Sequence, residues 1–222
     1  MIMKETRVYR LTGMSPILGS QPADPEIRKT YVEDKIRQAG DRQDRADEAE
    51  NLDPTQEQID KKSTIFGCRA EDGALILWDY QIKGTLKAAI EVLQKQLGIV
   101  QGNSKFTKFL HVYPRNVPLK DAYGEVITQP EPRMLERPLR AMTMQGPRVA
   151  LASSQIVEAP WQVTFRLTLL ENEGTPKSKA ITWDTVETCL DYGEYSGIGQ
   201  WHNGGWGRFV WERMPDDTAV EA

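Results

Sequence analysis

The chain has 222 residues, enough for one large domain or two small ones. Hydrophobic residues at 39% and charged residues at 27% support a packed core and exclude wholesale disorder. The net charge of −4 argues against a protein that attracts nucleic acid over its whole surface. Apolar runs such as 74–78 are too short to span a bilayer, and the opening Met1-Ile2-Met3-Lys4-Glu5 has no secretory apolar stretch. Two cysteines, Cys68 and Cys189, make neither a disulfide framework nor a four-ligand zinc site, and both read most simply as buried. A soluble, cytoplasmic protein with no membrane partner is expected.

Residues 7–11 read as a first strand, and 12–20 break regular structure. Residues 25–38 read as a helix, with Asp24 as cap and Pro25 at the first helical position. Residues 40–51 are charge-dense, an exposed helix or a linker, and Asp53-Pro54 starts another helix. Between 24 and 62 twelve acidic residues face eight basic ones. Residues 21–63 therefore form an acidic helical insertion between strands. Residues 65–69 and 74–80 read as a β-hairpin joined through Glu71-Asp72-Gly73. Leu86, Ala89, Ile90, Leu93 and Leu97 form one apolar helical stripe that Gly98 ends. Residues 106–113 have strand character.

Residues 114–147 hold six prolines and read as a basic loop or hairpin arm. Over 102–148 the bases Lys105, Lys108, Arg115, Lys120, Arg133, Arg137, Arg140 and Arg148 face only Asp121, Glu125, Glu131 and Glu136. Screening confines each exposed charge to about 8–10 Å, so such a segment can bind a polyanion on an acidic molecule. Residues 160–170 alternate apolar and polar side chains and form the strongest strand, with 148–154 as its antiparallel partner. Asp184-Thr185-Val186-Glu187 reads as a capping box opening a short helix that ends before Gly193. A last strand follows at 208–212, then a flexible tail at 215–222. The order of elements gives an α+β fold with antiparallel sheet, either two ferredoxin-like units or one elaborated unit, in a single domain over 1–214.

Six of the seventeen glycines fall between Gly193 and Gly207. Tyr195, Trp201 and Trp206 interleave with them, beside Gln200, His202, Asn203 and Arg208. Glycines leave backbone N–H groups open, indoles stack bases, and arginine meets phosphate, so the loop has the parts to hold a nucleic acid. The same glycines also fit tight helix–strand packing, with the tryptophans in the core. A dinucleotide fingerprint is excluded, because here a helix precedes the loop and a strand follows.

The helix, the glycine-rich loop ending Gly204-Gly205-Trp206-Gly207-Arg208-Phe209 and the strand after it resemble the C-terminal signature of the repeat-associated mysterious proteins. That is the RAMP superfamily of CRISPR RNA-binding proteins. Residues 80–87, Tyr-Gln-Ile-Lys-Gly-Thr-Leu-Lys, are similar to its strand-to-helix junction. The stretch Thr12-Gly13-Met14-Ser15-Pro16-Ile17-Leu18 resembles uncharacterised phage-encoded proteins. The resemblance implies a ferredoxin-like fold and a single-stranded nucleic-acid ligand, RNA before DNA. The loop departs from the RAMP pattern in carrying Glu194.

Lys83-Gly84-Thr85 reads as a helix start, where orphan N–H groups could take a phosphate or Thr85 could simply cap. Only His111 and His202 are present, which disfavours a histidine-built metal centre. No metal, cofactor or catalytic residue is expected. The reading is a phage-encoded, RAMP-like binder of single-stranded nucleic acid. Lys83, Thr85, Lys105, Lys108, Arg133, Arg137, Arg140, Tyr195, Gln200, Trp201, His202, Asn203, Trp206 and Arg208 would form the interface. Self-association along the strand would extend it. A protein-interaction module engaging a host defence complex and a histidine-dependent ribonuclease are the alternatives.

Overall fold

The computed structural model describes residues 4–23, 63–69, 71–128, 133–143, 146–172 and 179–220. The insertion expected at 21–63, with its helices at 25–38 and from Asp53, lies outside the described residues apart from its two ends. In chain order the strands are β1 (Lys4–Gly13), β2 (Ile17–Leu18), β3 (Gln21–Pro22), β4 (Thr64–Ile65), β5 (Gly67–Cys68) and β6 (Leu75–Trp78). Two helices follow, α1 (Asp79–Leu97) and α2 (Gly102–Phe109). Then come β7 (Leu110–Tyr113), β8 (Asn116–Pro118), β9 (Met134–Thr143), β10 (Gly146–Val157), β11 (Gln162–Leu170), α3 (Trp183–Ser196) and β12 (Phe209–Met214).

The central layer is a four-stranded antiparallel sheet in the order β12-β1-β11-β7. Its elements occur in the chain as β1-α1-β7-β11-α3-β12. The pattern is βαββαβ with sheet order 4-1-3-2, which is a ferredoxin-like arrangement. Among the described residues this pattern occurs once, as one elaborated unit. Val163, Phe165, Leu167 and Leu169 of β11 are buried and alternate with half-buried polar residues, as period two requires. Leu11 of β1, Ile82 and Leu86 of α1, Cys189 and Leu190 of α3 and Phe209 of β12 surround one small apolar cavity. Both long helices therefore cover the same face of the sheet. Glu187 ties α3 to β1, accepting from Arg7 Nη1 at 3.0 Å and from the Tyr9 hydroxyl at 2.9 Å. Among the described residues no helix is long and apolar enough to cross a membrane.

A second sheet is built around β10, which runs with β9 as a long hairpin and then pairs β2 and β4 at its root. Strands β3 and β4 pair antiparallel, Gln21 opposite Ile65, and so bring the two ends of the insertion together. A third sheet has the order β5-β6-β8.

Several local expectations are corrected. Residues 148–154 pair with β9, not with β11. An interior strand needs a neighbour on each side, and β1 and β7 fill both positions beside β11. Residues 106–109 finish α2, because Phe106 is packed into the core from a helical turn and Thr107 Oγ1 donates to Asn103 O at 2.9 Å. The α3 cap is Thr182, whose side chain accepts from Thr185 N at 3.3 Å, and the helix runs past Gly193 to Ser196. Residues 79–80 belong to α1, so β6 ends at Trp78. Gly98 closes α1 in the left-handed region at φ 69, as the sequence suggests.

Candidate nucleic-acid interface

The stretch after β1 and the glycine-rich loop, almost two hundred residues apart in sequence, form one substructure. Met14 N donates to Arg208 O at 2.7 Å, Gly207 N to Pro16 O at 2.8 Å and Gln200 N to Leu18 O at 3.2 Å. Ser15 stands at the centre. Its Oγ donates to Gly205 O at 3.0 Å and accepts from Arg208 N at 2.9 Å. Its carbonyl accepts from Nε1 of Trp161 at 2.9 Å, and that indole is fully buried against Gly13. Gly207 has φ 66, and a Cβ there would strike the carbonyl oxygen of Ile198. Only glycine fits that crossing.

This zip uses much of the backbone expected to lie open as a cradle. The N–H groups of Gly197, Ile198, Gln200, Gly204, Gly205, Gly207 and Arg208 all donate to acceptors within the fold. The loop also presents side chains. Trp201 is 40% exposed and stacks on Trp206, with ring centroids 6.1 Å apart and planes 20° apart. Arg137, reaching from β9 and only 5% exposed, lays its guanidinium 4.2 Å from the centroid of the Trp201 ring. That contact joins the loop to the hairpin root, where β10 already pairs with Ile17 and Leu18. Tyr195, in the last turn of α3, is 77% exposed. His202 Nδ1 lies 2.9 Å from Ser196 O, which fixes the ring's orientation. Asn203 and Arg208 are exposed, and Gln200 is half-buried.

The other expected residues are placed as follows. Arg133 precedes β9 and forms an ion pair with Glu158. Arg140 sits on β9 opposite Val149. Lys83 and Thr85 lie in the second turn of α1, not at its start, so no orphan N–H cradle forms there. Thr85 Oγ1 donates to Gln81 O at 3.2 Å. Lys83 Nζ donates to Thr107 O at 3.0 Å, and burial holds its ammonium below the ordinary lysine range. Lys105 Nζ donates to Lys179 O at 2.7 Å, and Lys108 is exposed on α2. Helix α2 runs into β7, whereas the glycine-rich loop runs into β12. These are the two edge strands of the central sheet. The α2 lysines and the loop aromatics thus attach to opposite edges.

Ser15 and Glu194 were not anticipated as parts of this site. The signal for Ser15 is the Thr-Gly-x-x-Pro stretch that contains it. Glu194 is turned inward, its carboxylate accepting Trp211 N at 3.2 Å, while Asp191 accepts Trp211 Nε1 at 3.0 Å. The acid that departs from the RAMP pattern therefore covers a backbone donor on the outer edge of β12. Cys189 is buried as expected, but Cys68 is exposed. Among the described residues no three histidine, cysteine or acidic side chains gather as a metal site.

No protein-family model matches the chain, and no curated protein matches it. Among solved structures it is similar to a chain of one titled "Type IV-B CRISPR Complex", at 10% sequence identity and a TM-score of 0.45, covering 98% of this chain and 94% of that one.

Proposed function

We propose that this chain is a RAMP-like protein that binds single-stranded nucleic acid, RNA before DNA, without cleaving it. The observation that carries the reading is the stack of Trp201 on Trp206 under the guanidinium of Arg137. Indole faces accept any base, and stacking contributes about 1–3 kcal/mol per base. The buried Arg137 guanidinium holds the Trp201 ring in place, and exposed Arg208 supplies positive charge for a phosphate beside a stacked base. Exposed Arg208, Asn203 and Tyr195 extend the surface along the loop. The preference for RNA rests on the sequence resemblance of the loop and of residues 80–87.

Gel-shift titration of single-stranded RNA and DNA at low salt tests this directly. Binding is expected, and Trp201→Ala should weaken it by roughly 5- to 150-fold, the equivalent of one stacked base. No binding of either strand by the parent protein sinks the proposal. A protein partner that survives nuclease treatment in a pull-down, with no strand bound, would instead support the interaction-module reading.

A further inference from the structure

The face of the central sheet turned away from α1 and α3 carries no helix of the βαββαβ unit. Register places Tyr113 of β7, Arg166 of β11, Val8 of β1 and Met214 of β12 in one row across all four strands. Arg10 lies in the neighbouring row beside Thr164, with Glu212 on its other side at 3.4 Å. Tyr113 is 49% exposed, and His111, two residues before it on the same face, is exposed as well. Such a row offers an aromatic face and a guanidinium at strand spacing.

One segment of the chain already uses this face. After β12 the chain turns, with Thr218 N donating to Pro215 O at 2.9 Å, and the Thr218 carbonyl accepts from Arg166 Nη2 at 3.3 Å. The same segment places Asp216 3.5 Å from Arg213. Val8 is fully buried although it lies outside the main core cluster and on the side away from the helices. The segment brings Asp216 and Asp217 and no basic residue. An oxygen acceptor occupies Arg166, where a phosphate oxygen would have the same complementarity, and the Asp216–Arg213 pair anchors the segment that supplies it.

We propose that the open sheet face around Tyr113 and Arg166 is a second contact surface for single-stranded nucleic acid, and that residues 215–220 act as a strap across it. The inference rests on the reading that the chain binds single strands. In the strapped state Arg166 serves the Thr218 carbonyl. When a strand binds, the segment lifts, Arg166 passes to a phosphate and a base stacks on Tyr113. The strap lowers the apparent affinity of this face by the fraction of molecules in which it is closed.

The experiment compares the parent chain, a chain ending at Met214, and the Asp216→Asn/Asp217→Asn variant. Each is titrated with a fluorescein-labelled 12-nucleotide oligo-U, with a thermal melt to confirm folding. Both altered chains should bind about 3- to 10-fold tighter than the parent, because the closed fraction is removed. Adding Arg166→Ala or Tyr113→Ala to the shortened chain should abolish that gain while leaving the parent-level affinity. If the parent binds and neither altered chain binds tighter, the strap is overturned and the loop interface stands. If only the altered chains bind, the strap is supported and the loop interface fails. Absence of binding in all three overturns both. A shortened chain that fails to fold leaves the carboxamide variant to decide.

Discussion

Trp201 holds its backbone in the left-handed region at φ 53, which costs an L-residue about 1–2 kcal/mol relative to glycine. Within the same loop Gly199, Gly205 and Gly207 also take positive φ, so a glycine at 201 would fit the path better than tryptophan does. An indole kept there at such a cost argues for use of its ring. Trp201→Gly should therefore leave the unfolding free energy within about 1 kcal/mol of the parent, strain relief offsetting the lost stack. Strand affinity should fall as it does in Trp201→Ala. Chemical denaturation and the same gel-shift titration read the two effects apart. A loss of several kcal/mol in stability with strand affinity unchanged would show that the ring serves packing alone. The two cysteines differ at the same scale. Burial pushes the Cys189 thiol up to about 12 from an ordinary 9.0, so it stays neutral in the folded chain. The raised value means that its contribution to stability is whole below pH 9 and declines as pH climbs toward 12. Iodoacetamide at pH 8.5 should label Cys68 and spare Cys189 until the chain is denatured, as intact-mass spectrometry would record.

Between elements, the decisive contact is the one joining hairpin to loop. Arg137 on β9 and Trp201 in the loop are far apart in sequence, and no local pattern announces that they meet. A desolvated guanidinium–indole pair couples by about 0.5–2 kcal/mol, so a double-mutant cycle of Arg137→Met and Trp201→Leu should return an interaction energy in that range. A value near zero would mean that hairpin and loop move independently. The same distinction explains what could be read from the sequence. Helix α1 was legible because its apolar stripe and terminal Gly98 are local signals, and β11 because strict alternation is local too. The partner of β10, the helix at 102–109 and the Ser15 zip were not. Strand pairing is decided by which edges are left free after folding. The Phe106-to-Tyr113 stretch satisfies both periods, with only core packing to separate them. Sequence alone groups the α2 lysines with the loop's aromatic and basic residues, while the sheet holds the two at opposite edges.

For the molecule as a whole, charge is the property that the elements do not explain singly. The twelve acids and eight bases over 24–62 carry the entire net charge of −4, so the remainder of the chain is neutral overall. Strands β3 and β4 close the base of that segment, Pro22 opposite Thr64 and Ala23 N donating to Ser63 O at 2.8 Å. A tight Asn-Gly turn joining residues 23 and 63 would suit the existing antiparallel ladder. The shortened chain keeps the β3–β4 ladder and every described core residue, and it should fold with its thermal midpoint within a few degrees of the parent. Its effect on binding should depend on salt. With the acidic segment gone, long-range repulsion of a polyanion is relieved, so a single strand should bind about 3-fold or more tighter at 25 mM salt. At 300 mM the Debye length falls below about 8 Å, and the difference between the two chains should vanish. Anisotropy titrations across that range measure it. Weaker binding by the shortened chain at every salt concentration would instead assign residues 24–62 direct contacts with the strand.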